Sequence, residues 1–177
     1  MHRRQALACS AAALALAAAL ACDPSEAATT SATLTVTARV GGNCRFNPPS
    51  TTSFTLAFNT YTPSAGNLNV STNLQVRCTS GVPFQIALGG GGSGNVANRR
   101  MSATGAPAET LAYQLYTDAA YTTIWGDGSS GTAVRSSVGT PGPQTFTIYG
   151  RIPDSGTNLA AAPRTDYRDV VTITVTY

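Results

Sequence analysis

The sequence predicts an all-β sandwich. Three observations carry that expectation: apolar residues recur at every second position in short segments, clusters of turn-forming residues separate the segments, and no stretch beyond the N-terminal apolar run carries a convincing helical period. Regularly spaced short strands with such punctuation are expected to build a sandwich of the immunoglobulin-like kind.

The first residues read as an export signal. Arg3 and Arg4 form a basic start, an Ala/Leu-rich run follows from Ala6 to Ala21, and "CDPSEA" supplies a polar, Pro-containing end. The apolar run is shorter than the roughly 20 residues of a membrane span. Ser25 and Ala27 satisfy the small-x-small rule for cleavage before Ala28, giving a signal peptide of residues 1–27. Ala19 and Ala21 satisfy the same rule before Cys22, where "LAC" resembles a lipoprotein box and Cys22 would carry lipid. Cleavage after Ala27 is favoured because it removes Cys9 and Cys22 and leaves Cys44 and Cys78 as one even pair, as an exported protein prefers. Their disulfide closes a loop of about 35 residues, a constraint of about 4 kcal/mol on the chain-entropy model.

The segment "SATLTVTARV", residues 31–40, alternates Ala32, Leu34, Val36, Ala38 and Val40 with polar residues, the pattern of a strand with one buried face. Gly41, Gly42 and Asn43 join it to Cys44 as a flexible hinge. Further alternating segments follow: "TSFTLAF", "LNVSTNLQVRC", "PFQIAL", "LAYQLY", "QTFTIYGRI" and "VVTITVTY". "GGGGSGN", "GDGSSG", "GTPGP" and "PDSGTN" punctuate them. The last segment, with Val171, Ile173, Val175 and Tyr177 on one face, is followed by no partner strand. One strand is expected to be absent at the end, and one to be spare at the beginning.

Composition excludes several functions. The formal charge is +3 with only 11% charged residues, and every basic residue is an Arg scattered along the chain, unlike the basic stripe that tracks nucleic acid. Beyond residue 27 there is no His, no Lys and a single Glu, Glu109, so acid–base, nucleophilic and most transition-metal chemistries lose their usual groups. Asp118 and Asp127 flank "TIWG", and Asp166 and Asp169 flank "YR"; solvated loop carboxylates and surface pairing with Arg168 account for them. Gly89 to Gly92 lack the Lys and helix start of a phosphate loop and read as a flexible hairpin. "WGDG" offers one carboxylate, a thin site for Ca²⁺ or sugar, and Trp125 reads as a packing residue at the sandwich edge. No enzyme activity, cofactor, metal or small-molecule substrate is expected.

Specific wording adds to the period. "RRM" at 99–101, "LAYQLYTDAAYTTIWGDG" at 111–128, "QTFTIYGRIP" at 144–153 and the closing "YRDVVTITVTY" together resemble the spore coat protein U family, which includes Csu-type pilins of the archaic chaperone–usher pathway. The resemblance runs from Ala32 to Tyr177. It implies an incomplete immunoglobulin-like sandwich completed by a strand that the N-terminal extension of a neighbouring subunit donates. On that reading residues 28–43 are the donor extension and hinge, with Ala32, Leu34, Val36, Ala38 and Val40 facing the groove. Residues 44–177 form the pilin-like domain, with Val171, Ile173, Val175 and Tyr177 as the acceptor edge. Implied partners are copies of the chain or related pilins, a periplasmic chaperone and an outer-membrane usher. The implied setting is export through the periplasm to a surface fibre, with adhesion and biofilm formation as its role.

Three readings follow from the residues. A fibre subunit and a coat protein that envelops a resting cell share the donated strand. A monomeric carbohydrate-binding sandwich closes its own sheet, with residues 31–40 as an ordinary first strand.

Overall fold

The computed structural model describes residues 30–50 and 53–177. The expected signal peptide, both its cleavage sites, Cys9 and Cys22 lie outside the described residues. Two units are distinguished, Met1–Ala38 and Arg39–Tyr177. The described part of the first carries no strand or helix, and residues 30–43 are all exposed.

The second unit is all-β, with antiparallel sheets assembled partly from strands the alternation marks and partly from four short ones it does not, Cys44–Phe46, Arg100–Ala103, Arg135–Val138 and Tyr167–Arg168. β1 (Cys44–Phe46), β2 (Leu68–Cys78), β6 (Gln114–Tyr116) and β8 (Gln144–Ile152) form a sheet in the order β1-β2-β8-β6. β3 (Pro83–Leu88), β7 (Arg135–Val138) and β10 (Ile173–Thr176) form a second, in the order β10-β3-β7. β4 (Arg100–Ala103), β5 (Ala106–Ala112) and β9 (Tyr167–Arg168) form the third, in the order β5-β4-β9. The longest pairing runs antiparallel from Leu68 opposite Ile152 to Val76 opposite Gln144. Along it Leu74 and Val76 turn inward with Phe146 and Ile148, while Asn73 and Thr147 turn outward, the pleat converting period two into two faces.

The core lies between the sheets. Leu74 and Val76 on β2, Phe84, Ile86 and Leu88 on β3, and Phe146, Ile148 and Ile152 on β8 are buried in one cluster. Phe84 meets Phe146 edge-to-face with centroids 5.9 Å apart, a favoured geometry for two ring quadrupoles. Cys44 stands opposite Cys78 in the β1–β2 register, and the two are bridged.

Local readings need correction in four places. "LAYQLY" is not one strand: β5 pairs with β4, β6 pairs with β8, and the chain changes sheets at Tyr113, whose N–H donates to the Arg99 carbonyl. Gly89 to Gly92 do not form a hairpin; a short 3₁₀ turn at Gly91–Ser93 carries the chain from the second sheet to the third. The reason is close approach, since a Cβ on Gly91 would collide with the Asp169 carboxylate. Trp125 is fully buried rather than at an edge, and its indole N–H donates to the Ile86 carbonyl at 2.9 Å. Asp166 pairs with Arg164 at 3.1 Å rather than with Arg168.

Candidate functional site: an open groove along the sandwich

"TSFTLAF" alternates as a strand does, yet residues 53–60 pair with no sheet among the described residues. Their apolar side chains still point inward: Phe58 is buried, and Phe54 and Leu56 pack on the core. Gly150 makes this possible. A Cβ there would stand 2.9 Å from both Leu56 and Phe58, so the bare glycine of β8 leaves the seat in which these two side chains rest.

Across from this segment runs the stretch from Ala161 to Ile173. Between the two lies a groove of about 710 Å³, floored by Leu88, Met101, Leu111, Leu115, Ile148 and Ile152 and walled by Phe54, Leu56, Phe58, Val171 and Ile173. The floor is the hydrophobic core itself. Among the described residues β10 pairs only with β3, so its other edge carries unpaired backbone groups there. An apolar trough beside an unpaired strand edge is the geometry at which strand addition occurs in general, an added backbone completing the ladder while alternate side chains fill the trough.

Polar anchors hold both walls. Asp154 accepts the Tyr61 hydroxyl at 2.6 Å and the N–H groups of Ser64 and Gly66 at 2.9 and 2.7 Å, closing the turn after the first wall. Burial, with help from the Asp154 hydrogen bond, pushes the Tyr61 phenol up to about 12; that same bond, followed by the Gly66 N–H, lowers the Asp154 carboxyl. On the second wall Arg164 reaches the Thr104 carbonyl, Asp166 and Glu109. Asp169 accepts N–H groups from Gly92 and Val170 and the Tyr113 hydroxyl, tying the wall to the Gly-rich turn. Behind the groove Arg99 is fully buried and donates to the carbonyls of Leu88, Gly89 and Trp125 and to the Gln114 amide oxygen. Burial lowers its pKa.

The predicted site residues fall in different places. Val171 and Ile173 line the groove; Val175, also on β10, packs on the core; Tyr177 follows β10 and is exposed. Leu34, Val36 and Val40 are 85%, 82% and 89% exposed, and Ala32 and Ala38 are exposed with them. Asp118 and Asp127 each accept N–H groups of their own loops, from Thr122 and Thr123 and from Ser129. Sequence reasoning missed the second wall at 161–168 and the buried anchors Arg99, Gln114 and Asn158, whose side-chain amide accepts the Ala112 N–H and donates to the Ala112 and Pro153 carbonyls. "RRM" marked Arg99 as distinctive wording without revealing that its side chain is interior.

The spore coat protein U domain model matches residues 30–174. The chain belongs to the spore coat protein U domain family. Among curated relatives it is similar to Protein U of Myxococcus xanthus, 34% identical over 169 residues that cover 89% of this chain and 90% of that protein. Among solved structures it is similar to a chain of the CsuC–CsuE chaperone–tip adhesion subunit pre-assembly complex from archaic chaperone–usher Csu pili of Acinetobacter baumannii. That likeness has a TM-score of 0.52 at 20% identity and covers 78% of this chain but only 40% of the other. It identifies the fold of the spore coat protein U domain here as pilin-like.

Proposed function

We propose that this spore coat protein U domain is a structural subunit of a surface pilus or fibre, exported through the periplasm and polymerised by strand donation. The observation that carries the reading is the groove floored by core side chains, in a chain that also holds an exposed alternating segment with the complementary pattern. Residues 31–40 of one subunit lie in the groove of the next, with Ala32, Leu34, Val36, Ala38 and Val40 inward. The edge from Val171 to Tyr177 receives the strand. A chaperone covers the groove until an usher exchanges it for the next subunit, and the finished fibre serves adhesion and biofilm formation. The role is mechanical, not catalytic. Family membership and the Csu-like fold support this reading. The spore coat description of the family supports a second assembly of the same kind, a coat layer linked by the same donated strand.

A synthetic peptide of residues 31–40 tests the proposal. Added to subunit lacking residues 28–40, it is expected to raise Tm, as any ligand selective for the native state must. The peptide with Leu34, Val36 and Val40 changed to Ser is expected to have no effect. A truncated subunit that melts at the full-length temperature and ignores both peptides would mean that the sandwich needs no donated strand.

A further inference from the structure

The outward face of the β1-β2-β8-β6 sheet has a chemistry that strand donation does not use. Register sets Arg45 directly opposite Arg77, and both are exposed. Like charges opposed across neighbouring strands oppose folding. From Arg77 the outward positions of β2 and β8 carry only amides, hydroxyls, Tyr149 and Arg151, with no carboxylate. At the far end the Arg151 guanidinium stacks 3.9 Å over the Tyr121 ring. Tyr121 in turn meets Tyr116 and Tyr149 edge-on, at 5.5 and 6.2 Å. Asp118, near Tyr116, is spent on its own loop. Among the described residues both ion pairs belong to Arg164, so Arg45, Arg77 and Arg151 have no carboxylate partner.

We propose that this face binds an acidic polysaccharide of the polyuronate class. Tyrosine rings and a stacked guanidinium present flat surfaces to sugar rings, side-chain amides and hydroxyls exchange hydrogen bonds with sugar hydroxyls, and the arginines take carboxylates. Charge spacing separates this ligand from others. The strip from Asn69 to Arg77 is about 27 Å long at ~3.4 Å per residue, too sparse in guanidiniums for duplex DNA with its charge every ~1.7 Å. A neutral glycan would leave Arg45 and Arg77 uncompensated. A membrane would require an apolar anchor, which a face of amides and hydroxyls lacks.

Affinity electrophoresis of the exported full-length chain in native gels containing polygalacturonate, neutral dextran or no polymer tests this. Polygalacturonate is expected to retard the protein, dextran is not, and Arg45→Ser with Arg77→Ser is expected to weaken retardation by about tenfold in apparent Kd. Arg100→Ser with Arg135→Ser removes the same net charge from other sheets and is expected to leave retardation at the wild-type value. Thr145→Glu, which adds a carboxylate at an exposed outward position without disturbing the core, is expected to weaken it, and Tm of every variant is measured alongside. Equal weakening by the two arginine pairs would reduce the effect to net charge and overturn the proposal. So would retardation by dextran alone, or none by polygalacturonate.

Discussion

Gly150→Ala perturbs the groove from beneath, without touching the strand that is proposed to fill it. The added methyl group would stand 2.9 Å from Leu56 Cδ2 and Phe58 Cζ and 3.1 Å from Leu56 Cδ1, closer than carbon atoms tolerate. Relief requires both side chains to move outward. Overpacking of this kind costs about 1–3 kcal/mol, and replacing a mid-strand glycine returns about 0.5–1 kcal/mol. The net loss is at most about 2.5 kcal/mol, or a fall in Tm of up to about 10 °C for a domain of this size. Because Leu56 and Phe58 are groove wall, stabilisation by the 31–40 peptide should fall as well. Gly142→Ala is the control, since a Cβ at 142 meets nothing within 4 Å. Calorimetry of both variants, with and without peptide, checks the expectation. A Gly150→Ala protein that melts higher than wild type and binds peptide unchanged would refute the seating of residues 54–58 on β8.

Four further outcomes are expected. Val36→Asp should abolish heat-stable ladders on gels, because it carries an unpaired charge into an apolar groove at a cost of several kcal/mol, whereas Thr35→Asp, on the opposite face, should leave them. Cys44→Ser should lower the yield of exported protein more than it alters assembled material, with intact mass of the wild type two hydrogens below the reduced value. Arg99→Met should lower the denaturant midpoint strongly, as the buried Leu88 and Trp125 carbonyls and the half-buried Gly89 carbonyl lose the guanidinium donors, while the Gln114 oxygen keeps only the Leu115 N–H; a buried acceptor left alone costs about 1–3 kcal/mol. The Tyr61 phenol should titrate near 12; its folded pKa is raised, so its contribution is present below the ordinary phenol range and lost as pH rises through the folded value. Asp154→Asn should move that titration down.

Period two made the longer strands of the main sheets legible, but not β1, β4, β7 or β9. "LNVSTNLQVRC", "PFQIAL" and "QTFTIYGRI" coincide with β2, β3 and β8 because each has one face on the core, and burial alone imposes the alternation. Where pairing and burial part company, the sequence misleads. Residues 53–58 alternate because their side chains are seated, although their backbone has no partner. Leu111, Tyr113 and Leu115 alternate without interruption across a change of sheet, since all three face the same core. Polar anchors were illegible for another reason. An interior Arg99 is satisfied mainly by carbonyl oxygens, which belong to every residue and leave no pattern in the sequence. Half the groove was hidden likewise: the wall at 161–168 is held by Arg164 and Tyr167 contacts and carries no alternation.

The strength of the proposed link cannot come from the donated side chains alone. Leu34, Val36 and Val40 contribute about 1.5–3 kcal/mol each on burial, while fixing each of the ten residues of the arm costs about 1–2 kcal/mol of backbone entropy. The groove must supply the difference. It does so in two ways: Phe54, Leu56, Val171 and Ile173, half-buried on the walls, lose their remaining contact with water when covered, and the unpaired edge of β10 gains ladder bonds of about 0.5–1.5 kcal/mol each. Stabilisation therefore resides largely in the acceptor, and a short peptide should recover much of it provided its three large apolar residues keep their spacing. A Leu34→Ala peptide should bind more weakly than the native sequence by roughly one side chain's burial. A sequence of the same composition with the alternation scrambled should fail altogether, because it would turn polar side chains into the trough and leave the β10 edge unpaired in register.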